Sequence, residues 1–209
     1  MSEKQLKIMI TGGGTGGHVF PAIAIADAIK KLRPETEFLF VGANGKMEME
    51  RVPKAGYPIV GLNVAGFQRS MSVKNLSFPF KLLSSLWKAR RIVRAFKPDV
   101  VIGVGGYASG PVVLIASLMG LPTLVAEPNA LPGFTNRVLA RFVRAAAVTF
   151  EEARRFFGDK AIITGNPVRA DFFDVQPKPS AGNGHAAHIF ITGGSQGARA
   201  INLAMIGAL

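Results

Sequence analysis

Residues 12–17 read Gly-Gly-Gly-Thr-Gly-Gly, between a short apolar run and a helical pattern, and fit the spacing Gly-x-Gly-x-x-Gly. A glycine turn after a strand lets backbone N–H groups and a helix N-terminus face a phosphate. A dinucleotide fold adds an acidic residue at the close of the second strand to hold the ribose. Here that strand ends Val41-Gly42-Ala43-Asn44, without an acid, which argues against NAD. The Gly-Lys-Ser/Thr of a P-loop is also missing. The alternative is a tight strand–helix turn with no ligand. His18 comes directly after the loop. A neutral imidazole at a helix start can take a proton from a substrate hydroxyl, its ordinary pKa being about 6.5, and the helix end lowers that value. The other reading is a histidine that caps or packs there.

Residues 103–110 form a second glycine loop, containing Gly105, Gly106 and Tyr107, again between a strand and a helix pattern. Two such loops at the carboxyl ends of parallel strands flank one crevice, where open α/β sheets bind ligands, and two anion cradles in one cleft suit a diphosphate. Glu127 and Asn129 follow the strand pattern at 123–126 and face the same crevice. Arg169 follows the pattern at 161–164, in Asn166-Pro167-Val168-Arg169. It can pair with phosphate or carboxylate, or simply sit in a surface turn. No HExxH, GxSxG, DxD-type acidic pair or histidine cluster occurs, and there is no cysteine. Metal, serine-hydrolase and thiol chemistry therefore have no visible support.

These groups must be held by a framework. Of 209 residues, 48% are hydrophobic and 18% charged, which excludes a disordered chain. Strand patterns at 6–11, 37–41, 58–64, 100–104, 123–126, 145–149 and 161–164 alternate with helix patterns at 21–32, 81–96, 112–119 and 136–142. That alternation predicts an α/β fold with a parallel sheet covered on both faces. Residues 100–126 carry no charge, but Gly103, Gly105, Gly106, Gly110, Pro111, Gly120 and Pro122 interrupt them. A spanning helix needs about 20 unbroken apolar residues. The start of the chain lacks the features of a signal peptide. Residues 176–187 have linker composition. After them, 188–192 runs into a third glycine loop, 193–197, and Ile191-Thr192-Gly193-Gly194-Ser195 repeats Ile10-Thr11-Gly12-Gly13-Gly14 in kind. A second Rossmann-like domain is expected to begin near residue 188. The chain stops at Leu209, inside that domain's first helix.

The net charge of +12 attracts an anionic partner: nucleic acid, a phosphorylated substrate or anionic lipid. In the helix at 81–96, Leu82, Leu86, Ala89, Val93 and Phe96 share one face. Leu83 and Trp87 fall roughly 100–140° away, joined by Phe80 if the helix reaches it, with Arg90, Arg91 and Arg94 continuing along that side. Apolar groups beside cations are the pattern of an interfacial membrane contact. A wider buried stripe with solvated charges is the alternative.

Five motifs occur in order: Gly12-Gly13-Gly14-Thr15-Gly16-Gly17-His18-Val19-Phe20-Pro21, Gly105-Gly106-Tyr107-Ala108-Ser109-Gly110-Pro111, Pro132-Gly133-Phe134-Thr135-Asn136-Arg137, Gly165-Asn166-Pro167-Val168-Arg169 and Gly193-Gly194-Ser195-Gln196-Gly197-Ala198. Together they resemble the MurG family of N-acetylglucosaminyltransferases, from about Leu6 to Ala200. The resemblance implies the N-terminal half of a GT-B glycosyltransferase, two Rossmann-like domains around a cleft. Residues 1–175 would form the acceptor and membrane-side domain, 176–187 the linker, and 188–209 the start of the UDP-sugar domain. It implies transfer of GlcNAc from UDP-GlcNAc to the C4 hydroxyl of MurNAc in lipid I, with inversion, in peptidoglycan synthesis. Family members are peripheral on the cytoplasmic face of the bacterial membrane, and no metal, cofactor or nucleic acid is implied. By motif match, Thr15, Gly16, Gly17, Asn129, Arg169 and Ser195 would contact UDP-GlcNAc. Gly14, Gly105, Gly106 and Tyr107 would hold the acceptor diphosphate, and His18 is the candidate base. Phe80, Leu83, Trp87, Lys88, Arg91 and Arg94 would meet the anionic inner membrane surface.

One departure from the family is Ala126-Glu127-Pro128-Asn129, where His-Glu-Gln-Asn is usual. This chain alone is expected to transfer little or nothing. The alternative is a membrane-docked half of a split UDP-sugar glycosyltransferase that acts with a partner chain.

Overall fold

The computed structural model describes residues 5–64 and 78–169, together with 172, 174, 190–193 and 198–208; of residues 78–80 only the backbone is described. Chain contacts divide the protein into two units, Met1–Ala170 and Asp171–Leu209.

The first unit is built on seven strands: β1 (Lys7–Thr11), β2 (Glu37–Ala43), β3 (Ile59–Leu62), β4 (Val100–Gly103), β5 (Thr123–Glu127), β6 (Ala145–Val148) and β7 (Ala161–Ile163). They form one sheet in the order β3-β2-β1-β4-β5-β6-β7, with every pair parallel. Burial alternates between two cores, as a strand's period of two requires. Ile8, Ile10, Phe38, Phe40 and Ile102 pack one way, against Val19, Ala22, Ile23 and Ala26 of helix α1 (Gly16–Leu32) and Val52 of α2 (Glu48–Lys54). Met9, Val41, Val101 and Val125 pack the other way. There they meet Ala89 and Val93 of α3 (Phe78–Phe96), Val112, Val113 and Ala116 of α4 (Ser109–Leu118), and Leu139 of α5 (Phe134–Leu139). A short α6 (Arg154–Phe157) precedes β7. The sheet order reverses between β1 and β4, so the loops that leave these two strands open a crevice.

The strands follow the sequence reading within two residues at each end. The helices differ more: α4 begins at Ser109, not 112, α5 spans Phe134–Leu139, not 136–142, and α6 was not expected. Helix α1 begins at Gly16, not at 21: Thr15 is the extended N-cap residue, and Pro21 lies inside the helix. Pro21 has no N–H to donate to the Gly17 carbonyl one turn back, so that bond of the ladder is missing near the start of the helix. Helix α2 was not expected. Helix α3 starts at Phe78.

Along α3, Ala89 and Val93 are buried, whereas Leu82 is exposed. Leu83 and Trp87 are 64% and 63% exposed, so the second side is no buried stripe. The Arg91 guanidinium lies over the Trp87 ring, 4.8 Å from its centroid, and Arg94 is exposed. Lys88 Nζ donates to the Gly61 carbonyl of β3 at 2.8 Å. The Phe80 side chain lies outside the described residues. No helix among the described residues is long and apolar enough to cross a membrane.

In the second unit the described residues hold one helix, α7 (Arg199–Ile206). A strand was expected over 188–192, yet 190–192 are irregular. A parallel strand is held by neighbours on its edges, and no partner strand occurs among the described residues of this unit. Ser195 and the expected linker 176–187 lie outside the described residues.

Candidate functional site

The glycine turn after β1 is shaped by what surrounds it. Gly12, Gly13 and Gly14 have φ of +149°, +142° and +89°, a region that disfavours other residues. The space a side chain would need is also taken. A Cβ on Gly12 would meet Val104 and the Gly105 carbonyl, and one on Gly13 would lie inside the Glu48 carboxylate. The Gly13 amide donates to the Gly105 carbonyl at 3.2 Å. The Thr11 hydroxyl donates to the Ala108 carbonyl at 3.2 Å. A Cβ on Gly106 would strike the Gly13 carbonyl, and one on Gly105 the His18 ring. The two glycine loops are thus one knitted surface with His18 set between them.

The amides of this surface are not all bare, as the sequence reading had expected. Gly12 N–H donates to the Val41 carbonyl at 3.2 Å. Gly14 N–H donates to Glu48 Oε2 at 2.9 Å. Gly14 was expected among the diphosphate contacts, but its amide already holds an internal carboxylate. Thr15, Gly16 and Gly17 open α1, where the first N–H groups have no partner within the helix.

His18 Nδ1 sits 3.1 Å from the Thr15 hydroxyl, and the ring also bonds to the backbone of Gly13. Its pKa is lowered from the ordinary 6.5, chiefly by burial. The Glu127 carboxylate, the Gly13 bond and Glu48 act in the opposite direction without overcoming burial. The direction matches the sequence expectation, although burial, not the helix end, is the leading cause.

At the end of β5, Glu127 is 2% exposed and organises the following loop. Its Oε1 accepts from the Asn129 amide at 3.0 Å and from Asn129 Nδ2 at 2.8 Å. Its Oε2 accepts from the Gly133 amide and from Asn136 Nδ2, both at 3.0 Å. Asn129 therefore stands exposed on the crevice side with its Nδ2 turned to Glu127. Beyond β7, the Arg169 guanidinium lies 5.4 Å from the centroid of the Phe20 ring, which carries it to the first turns of α1. Tyr107 is exposed on the second loop. A cavity of about 230 Å³ opens at these strand ends, lined by Gly17, Pro21, Ala126, Glu127, Pro128 and Pro167 among others. The two positions that depart from the expected His-x-Gln pattern, Ala126 and Pro128, are in its wall. Thr15, Gly16, Gly17, His18, Gly105, Gly106, Asn129 and Arg169 thus all belong to the strand-end side of the first unit, while Ser195 lies outside the described residues.

Sequence reasoning missed Glu48. The acid sought at the close of the second strand comes five positions after Ala43, on the first turn of α2. It points into the glycine loop, not toward a ribose. Gly42 was the available signal: a Cβ there would meet Glu48 Cγ at 2.5 Å.

Comparison with known proteins follows the same outline. The chain is 50% identical, over 99% of its length, to a protein of Bacteroides thetaiotaomicron named UDP-N-acetylglucosamine--N-acetylmuramyl-(pentapeptide) pyrophosphoryl-undecaprenol N-acetylglucosamine transferase, and covers 58% of it. The protein of the same name from Cytophaga hutchinsonii is 49% identical over 97% of the chain, with 57% of it covered. The crystal structure of Acinetobacter baumannii MurG superposes with a TM-score of 0.73 at 31% identity, over 95% of this chain and 55% of that one. A UDP-N-acetylglucosamine 2-epimerase at 15% identity and a TM-score of 0.59, over 78% of this chain and 49% of its own, shares the fold. The chain spans somewhat more than half the length of the curated relatives it matches. Residues 8–148 match the glycosyltransferase family 28 N-terminal domain, and the chain belongs to that family.

Proposed function

We propose that this chain is the acceptor-side half of an inverting transferase that moves GlcNAc from UDP-GlcNAc to the C4 hydroxyl of MurNAc in lipid I, making lipid II for the cell wall. The observation that carries the reading is the fused surface of two glycine loops with His18 between them, in a chain half identical to transferases of that name. Thr15, Gly16 and Gly17 at the α1 N-terminus contact the donor's phosphates, and the second loop, with Gly105, Gly106 and Tyr107, faces the acceptor diphosphate. Asn129 and Arg169 serve the donor, the guanidinium opposing the charge that develops on departing UDP. His18, neutral at pH 7, takes the proton of the attacking hydroxyl as its oxygen bonds to the anomeric carbon and the bond from that carbon to UDP breaks. To do so it gives up the Thr15 hydroxyl or the Gly13 backbone as a partner. Residues 1–175 form this half, with 188–209 beginning the UDP-sugar domain, where Ser195 adds a donor contact.

The apolar and basic side of α3 docks on the anionic cytoplasmic face of the inner membrane, through Leu83 and Trp87, with Arg91 and Arg94 contributing about 1 kcal/mol each near such a surface. Phe80 extends the stripe by sequence. Vesicle flotation checks this: Leu83→Asp with Trp87→Asp is expected to abolish binding to anionic vesicles, and equal binding by wild type and variant would remove the claim.

The test of the chemistry joins this chain to the remaining part of the Bacteroides thetaiotaomicron relative and follows labelled GlcNAc onto a soluble lipid I analogue. The chain alone is expected to transfer little or nothing, the fusion to turn over, and His18→Ala in the fusion to slow transfer by about 100-fold or more. A fusion that folds yet never transfers from UDP-GlcNAc overturns the assignment. Activity recovered by mixing two separate halves favours a split enzyme instead.

A further inference from the structure

Glu48 is a buried carboxylate that the proposed chemistry does not use. It is 1% exposed, and no ion pair reaches it among the described residues. Its two oxygens accept from backbone amides of segments far apart in sequence: Oε2 from Gly14 at 2.9 Å and Oε1 from Ala43 at 2.9 Å. Space has been cleared for it from two sides. A Cβ on Gly13 would sit 2.3 Å from its carboxyl carbon, and a Cβ on Gly42 would sit 2.5 Å from its Cγ. An uncompensated buried anion is costly unless donors surround it, so the arrangement has to gain something for the loop. What it gains is conformation. The turn after β1 has three consecutive glycines at positive φ, a backbone with many alternatives, and the carboxylate ties its third residue to the end of β2.

We infer that Glu48 is a positioning residue for phosphate binding: it stands in for an anion at the Gly14 amide, fixing the glycine turn so that the amides opening α1, and not Gly14, meet the ligand phosphate. The role rests on the phosphate-binding reading of the loops given above. Gln matches the shape of Glu but offers one acceptor and one donor, so it satisfies one of the two amides and opposes the other.

The test is amide NMR on the 15N-labelled chain, with inorganic pyrophosphate as the probe. In wild type, Gly14 and Ala43 are expected to exchange their amide protons far more slowly than exposed Gly45. Pyrophosphate is expected to shift Gly16 and Gly17 while leaving Gly14 in place. Glu48→Gln is expected to speed exchange at Gly14 and Ala43 and to weaken pyrophosphate about tenfold, the size of one lost charge-assisted hydrogen bond. Tyr57→Phe removes the 2.6 Å bond from the Tyr57 hydroxyl to Asp27, away from the loop, and is expected to leave pyrophosphate affinity unchanged. The inference is overturned if Gly14 shifts with pyrophosphate as strongly as Gly16, if Glu48→Gln binds like wild type, or if Tyr57→Phe weakens binding equally. Should wild type show no shift at any loop amide, the phosphate reading fails, and the exchange rates still decide whether Glu48 holds the turn.

Discussion

Glu48 and Glu127 are both buried carboxylates at the strand-end side of the sheet, and both are surrounded by N–H donors, yet they organise their surroundings at different ranges. Glu127 binds donors from positions two, six and nine residues further along its own chain segment. It closes a local loop. Glu48 reaches back 34 residues to Gly14 while also holding Ala43, and so ties one strand end to another. The local hub can form as soon as its segment is in place. The long-range one exists only after β1 and β2 have paired, and it transmits the sheet's geometry into the glycine turn. Rigid loop shape is therefore supplied from within the loop on one side of the crevice and from the neighbouring strand on the other.

The largest expected effect that would sharpen this contrast is from Glu127→Ala. It strands four donors, two of them on Asn129, and should cost about 3 kcal/mol or more in urea unfolding. Glu48→Ala strands two donors and should cost about 2 kcal/mol. A larger loss at Glu48 than at Glu127 would break the comparison. The two Gln variants should fall lower, near about 1–2 kcal/mol each, and differ in reach. Glu127→Gln should disturb amide shifts within residues 127–136 only, whereas Glu48→Gln should disturb both the 12–15 and 41–44 segments. The smallest effect is read at His18. Its imidazole should titrate below 6.5 because burial disfavours the charged form, and removing either neighbouring carboxylate should push it lower still. Since the unfolded chain then binds the proton more readily, this histidine's contribution is present above pH 6.5 and declines as pH falls through that value. An imidazole titrating above 6.5 would contradict the burial described here.

Much of the first unit was legible in residue order. Short apolar runs marked all seven strands, because a sheet covered on both faces needs continuous hydrophobic strands. The two glycine loops, His18 and Glu127 stood where a parallel sheet puts its binding residues. What the sequence concealed was whatever depends on contacts between distant segments. Helix α2 has only seven residues, with Pro53 near its end, too short to show a period. The bond from Lys88 to the Gly61 carbonyl joins residues 27 apart and has no local signature. The start of α1 was placed late because Pro21 resembles a first-turn proline, whereas the helix begins at Gly16 and carries Pro21 inside it. Glu48 carried no local pattern at all.

The interlock of Glu48 with Gly13 and Gly42 has an evolutionary corollary. No substitution at either glycine is tolerable while the longer acid remains, and shortening the acid alone leaves the turn unsupported. These three positions, separated by up to 35 places, should drift only as a set, so sequences that lose one of them are expected to have replaced the others as well.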